Sequence, residues 1–129
     1  TPEEAKTVSA KLEEEYRERK ALASEKAGSE KENVYMKFST YYLIICDNFK
    51  NTSRIPILDD ILNNNINLGF SLTILTKSLK NLPVQCDTFI EIGPGKTISK
   101  FISKTVDNVK IYSIDTVEDF ENTLKELNA

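Results

Sequence analysis

Apolar residues gather in short blocks, separated by polar and glycine-bearing stretches. Tyr41-Tyr42-Leu43-Ile44-Ile45-Cys46 runs into Asp47, and Phe70-Ser71-Leu72-Thr73-Ile74-Leu75 follows Gly69. Thr88-Phe89-Ile90-Glu91-Ile92 closes on Gly93-Pro94-Gly95-Lys96. Each block is short and rich in β-branched and aromatic residues, the pattern of strands buried in a parallel sheet. Between the first two, Ile57-Leu58-Asp59-Asp60-Ile61-Leu62 is apolar at helical spacing and predicts a helix near 56–63. Strand, helix and strand at this distance predict a βαβ unit with a right-handed crossover. The other elements are expected to pack on the same sheet. Val109 to Ile114 alternates and predicts a half-exposed strand near 109–114, at a sheet edge.

Two longer helices flank these blocks. Ala5, Val8, Leu12, Tyr16 and Arg19 recur at three- and four-residue spacing, with Glu, Lys and Arg on the other faces. That predicts an amphipathic helix near 3–24, capped by Thr1 with Glu4 completing a capping box and Pro2 in the first turn. The charges from Glu13 to Lys20 form either a solvated face or a partner surface, the first being the simpler account. Val117, Phe120, Leu124 and Leu127 stripe a last helix near 117–127, capped by Asp115 or Thr116. Ala27 to Lys37 has no apolar period and predicts an exposed, mobile linker. Asn48 to Arg54 is polar and turn-like, and Ser78 to Pro83 gives one helical turn stopped by Pro83. Ile98 to Ile102 fits strand or helix equally. The expected organisation is one α/β domain or part-domain over 1–129, with a helix over 1–26, a linker over 27–40 and a sheet with flanking helices over 41–129.

Composition narrows the function. The 129 residues suffice for one core, and 40% apolar with 29% charged is ordinary for a globular chain. A net charge of -3 leaves no basic surplus to neutralise phosphates, so a nucleic-acid partner is not expected. The absence of His removes His-based catalysis and His metal ligands. No apolar run approaches the ~20 residues that cross a bilayer, and no secretory-signal pattern opens the sequence. Cys46 and Cys86 are isolated and read as small core residues of a reducing compartment. The opening Thr-Pro-Glu-Glu, without Met, is expected of a piece of a longer protein.

Chemistry has few carriers. Gly93-Pro94-Gly95-Lys96-Thr97 is similar to the end of a phosphate loop, G-x-x-x-x-G-K-[ST], so Gly93, Gly95, Lys96 and Thr97 are phosphate-site candidates. The first glycine of that motif falls on Ile90, inside the strand, and Pro94 removes one N–H donor. A glycine-rich strand exit is the competing account. Asp47 ends an apolar strand, as does the metal-binding Asp of a Walker B strand, but Asn48 stands where motor ATPases place a catalytic Glu. A turn-stabilising Asp competes with that role. Asp59 and Asp60 read as solvated. No cofactor and no metal site is expected, and no catalysis by this chain alone.

Two resemblances stand beside these readings, one in the order of the segments and one local. Pro2 to Arg19, Tyr41 to Asp47, Ile57 to Leu62, Leu68-Gly69-Phe70-Ser71 with its strand, and Leu82-Pro83-Val84-Gln85-Cys86 leading into Thr88 to Ile92 resemble one layout. It is that of the FtsK/SpoIIIE-type ATPases of type VII secretion, the EssC/EccC family. The match is to the C-terminal half of their degenerate, membrane-proximal ATPase-like domain, and Glu118 to Leu127 also has a counterpart. This resemblance implies a Rossmann-like or P-loop-like parallel sheet, a degenerate nucleotide-binding fold, in a full-length ATP-binding motor for protein transport. It implies a regulatory or interaction role on the cytoplasmic face of the cell membrane, in the soluble part of a membrane-anchored protein. The implied partners are other motor domains, their membrane complex and small helical WXG-type substrates. The second resemblance is local. Asp87 to Lys96 is similar to a segment near the C-terminus of malonyl-CoA:acyl-carrier-protein transacylases. It implies a non-catalytic terminal portion of such an acyltransferase.

Overall fold

We analysed a computed structural model of the chain, which describes every residue except Thr1, Asn48 and Ser53. It is a mixed α/β structure with short parallel sheets, and it divides into two compact units, Thr1–Pro83 and Val84–Ala129.

In the first unit, α1 (Pro2–Ser24) is the long amphipathic helix the spacing predicts. The proposed Thr1 cap lies outside the described residues. The stripe is covered only from Leu12 onward: Tyr16, Arg19 and Ala23 are buried, whereas Val8 is exposed. Strands β1 (Tyr42–Asp47) and β2 (Phe70–Leu75) are parallel, in register from Tyr42 opposite Phe70 to Asp47 opposite Leu75. The predicted βαβ unit is therefore present. Its crossover carries α3 (Phe49–Thr52) and α4 (Pro56–Leu62), the latter opened by Pro56, where a missing N–H costs no helical bond. Ile57 and Leu58 of α4 are among the most deeply buried side chains, packed with Tyr16, Ala23, Val34, Cys46 and Leu68.

The stretch over 27–40 departs from the expected exposed linker. It folds into α2 (Gly28–Glu32) and a 3-10 turn (Val34–Lys37). Val34 is fully buried and Phe38 packs against the same core. Two isolated anchors hold this segment, and isolated anchors leave no periodicity to read. A second correction concerns the strands. One face of the β1–β2 ladder packs on the core through Ile44, Cys46, Phe70, Leu72 and Ile74, with Tyr42 stacked on Phe70, but Leu43, Ile45 and Leu75 on the other face are exposed. The strands are covered on one face, not two.

The junction of α1 with the sheet is held by Arg19, 4% exposed. Its Nη1 donates to the Leu68 carbonyl at 2.9 Å, its Nη2 to the Thr40 carbonyl at 2.9 Å, and its Nε to Glu15 at 2.7 Å. The guanidinium carbon lies 4.2 Å from the Phe38 ring centre, 5.1 Å from Tyr42 and 5.2 Å from Phe70. A buried cation needs its donors satisfied, and here carbonyls, a carboxylate and ring faces do so. Gly69 belongs to this joint. Its φ is +77°, and a Cβ there would sit 2.7 Å from Arg19 Nη1.

The second unit is another parallel βαβ. Strand β3 (Thr88–Ile92) leads through the glycine turn to α5 (Thr97–Thr105), then to β4 (Lys110–Ile114) and α6 (Val117–Leu127). Register runs from Thr88 opposite Lys110 to Ile92 opposite Ile114. The ambiguous stretch over 98–102 is helical, with Ser99 and Ile102 buried. Among the described residues β3 pairs with β4 and β1 with β2, in two ladders. This corrects the expectation of one sheet: each strand pairs with the one that its own short crossover returns, where loop closure is least costly. Thr116 caps α6 in a capping box with Asp119. The stripe Val117, Phe120, Leu124 and Leu127 is present on α6 but exposed.

Candidate functional site

The glycine turn joins β3 to α5. Gly93 and Gly95 have φ of +132° and +95°, which L side chains rarely adopt, so the turn requires both glycines. Gly93 N–H extends the ladder by donating to the Ile114 carbonyl at 2.9 Å. Lys96 occupies the N-cap position of α5 without a side-chain cap. The helix N–H groups that a capping side chain or an anion satisfies are taken up from the strand before the turn. Glu91 accepts from Ile98 N–H at 3.1 Å, from Ser99 N–H at 2.9 Å and from the Ser99 hydroxyl at 2.7 Å. Ser99 Oγ lies 2.6 Å from Ser113 Oγ on β4. One carboxylate thus ties β3, α5 and β4 together. The Ser99 hydroxyl, followed by the backbone bonds from Ser99 and Ile98, holds the Glu91 carboxyl below its ordinary pKa.

This geometry decides what the turn can do. A helix N-terminus attracts anions because its N–H groups are free and its dipole is positive there. Here a carboxylate of the chain already accepts two of those N–H groups, and its charge opposes a phosphate at the same place. Gly93, Gly95, Lys96 and Thr97 are brought together in one turn, in which Gly93 N–H is spent on the Ile114 carbonyl and Pro94 has no N–H to give. Lys96 and Thr97 are exposed. Lys96 adds the smallest of the effects that lower the Asp119 carboxyl, after the Thr116 side-chain and backbone bonds and the Asp115 N–H. Asp47 is exposed at the end of β1 and belongs to the first unit. Its neighbour Asn48 lies outside the described residues.

Other chemistry-bearing groups are sparse. Cys46 is buried, Cys86 half-buried, and both are free. Burial, then the charge of Asp87, pushes the Cys86 thiol up, away from the reactive thiolate. A cleft of about 180 Å³ lies against α1 and α4, lined by Glu13, Tyr16, Arg17, Lys20, Pro56 and Asp60. Tyr16 Oη donates to the Asp60 carbonyl at 3.0 Å, and burial followed by the Asp60 charge raises its pKa. The cleft sets two acids, Glu13 and Asp60, against two bases, Arg17 and Lys20. Asp59 and Asp60 are exposed, as expected. Among the described residues no three His, Cys, Asp or Glu side chains gather as a metal site, and no helix is long and apolar enough to cross a membrane.

No protein-family model matches the chain, and no curated protein or solved structure matches it.

The sequence offered the glycine turn but not Glu91. The available signal was a carboxylate within an otherwise apolar strand, on the same side as Phe89, with Ser99 two residues into the following helix. The open apolar faces were also missed.

Proposed function

We propose that this chain is a non-catalytic interaction module, an ATPase-like domain of a type VII secretion motor of the FtsK/SpoIIIE type. The observation that carries the interaction role is the open face of the β1–β2 ladder. Leu43, Ile45 and Leu75 are 64%, 60% and 52% exposed on a parallel pair, and parallel sheets are ordinarily covered on both faces.

The motor assignment rests on the order of segments from Pro2 to Ile92, and on two βαβ units read as parts of a degenerate, P-loop-like layer structure. The Glu91 carboxylate at the start of α5, and Asn48 in place of a catalytic Glu, support a module without its own nucleotide chemistry. It would act at the cytoplasmic face of the membrane, within a longer ATPase, against other motor domains and in the export of small helical WXG-type proteins. The test is a pull-down with purified motor modules beside one with acyl-carrier protein. Capture of the motor modules, reduced by Ile45→Asp, is expected; capture of neither overturns the proposal.

One observation favours the second reading, a non-catalytic terminal portion of an acyltransferase. Asp87 to Lys96 lies wholly within the second unit, and its turn uses both glycines at positive φ. Selective capture of acyl-carrier protein would support that reading.

A further inference from the structure

We draw no further inference here: the strongest candidate, the exposed apolar stripe of α6 formed by Val117, Phe120, Leu124 and Leu127, is an unpartnered helix face, and nothing in the structure shows what covers it.

Discussion

Replacing Gly69 by Ala should destabilise the first unit through two separable effects. The backbone effect is φ of +77°, a left-handed conformation that costs a non-glycine residue about 1–2 kcal/mol. The steric effect is the added Cβ, 2.7 Å from Arg19 Nη1 and 3.2 Å from Tyr41 Cδ1. Arg side chains ordinarily yield to such a clash. This one is pinned by the Leu68 and Thr40 carbonyls and by three aromatic rings. Moving Nη1 off the Leu68 carbonyl loses a charge-assisted bond worth about 1.5–3 kcal/mol. The expected total is about 2.5–5 kcal/mol, a large share of the ~4–12 kcal/mol typical of a unit this size. Urea unfolding of the full chain, followed by far-UV circular dichroism, measures it. A double-mutant cycle separates the parts: in an Arg19→Ala background, Gly69→Ala should cost only the backbone term of about 1–2 kcal/mol. Costs that add to within about 0.5 kcal/mol would refute the steric coupling.

Gly95→Ala should cost about 1 kcal/mol, from its φ of +95° alone, since a Cβ there meets nothing within 4 Å; a melting temperature equal to that of the parent would contradict the strain. Glu91 and Asp119 both have folded pKa values below their ordinary 4.5 and 3.8. Depressed carboxyl values stabilise the fold above those ordinary values, and the contribution is lost as pH falls through the folded ones. Acid titration should therefore destabilise the second unit progressively below about pH 4.5, and Glu91→Gln should flatten part of that slope. Calorimetric titration with Mg-ATP should give no binding, or a dissociation constant weaker than about a millimolar. Tight binding abolished by Lys96→Ala would overturn the account of the glycine turn.

The first βαβ unit was legible because its signals are local and redundant. The runs over 41–46 and 70–75 bracket an apolar helical period, and the parallel pairing follows from chain geometry. The partner of β3 was not legible, because alternation in a strand tells which residues share a face but not which strand lies alongside. Val34 escaped because a single buried side chain leaves no period. The stripe of α6 was read correctly as a stripe. Its exposure was not foreseen, since apolar spacing tells what a helix can bury and not what is there to cover it. Arg19 was placed on the right face of α1, but its carbonyl partners Leu68 and Thr40 are 49 and 21 residues away. Glu91 read as an ordinary strand residue because its N–H partners lie seven and eight residues on, across a turn whose glycines suggested a different anion.

We propose that the open face of the β1–β2 ladder is covered by another part of a secretion motor. The most direct test is the affinity of the chain for purified motor modules, measured by isothermal titration for the parent and for Ile45→Asp. Ile45 is 60% exposed, so the substitution should leave the circular dichroism spectrum unchanged and cost no more than the ~1 kcal/mol by which Asp is disfavoured in a strand. Losing a buried Ile from an interface costs about 1.5–3 kcal/mol, so affinity should fall roughly 10- to 150-fold. Undiminished affinity in Ile45→Asp, or no measurable binding by the parent chain, would contradict the account.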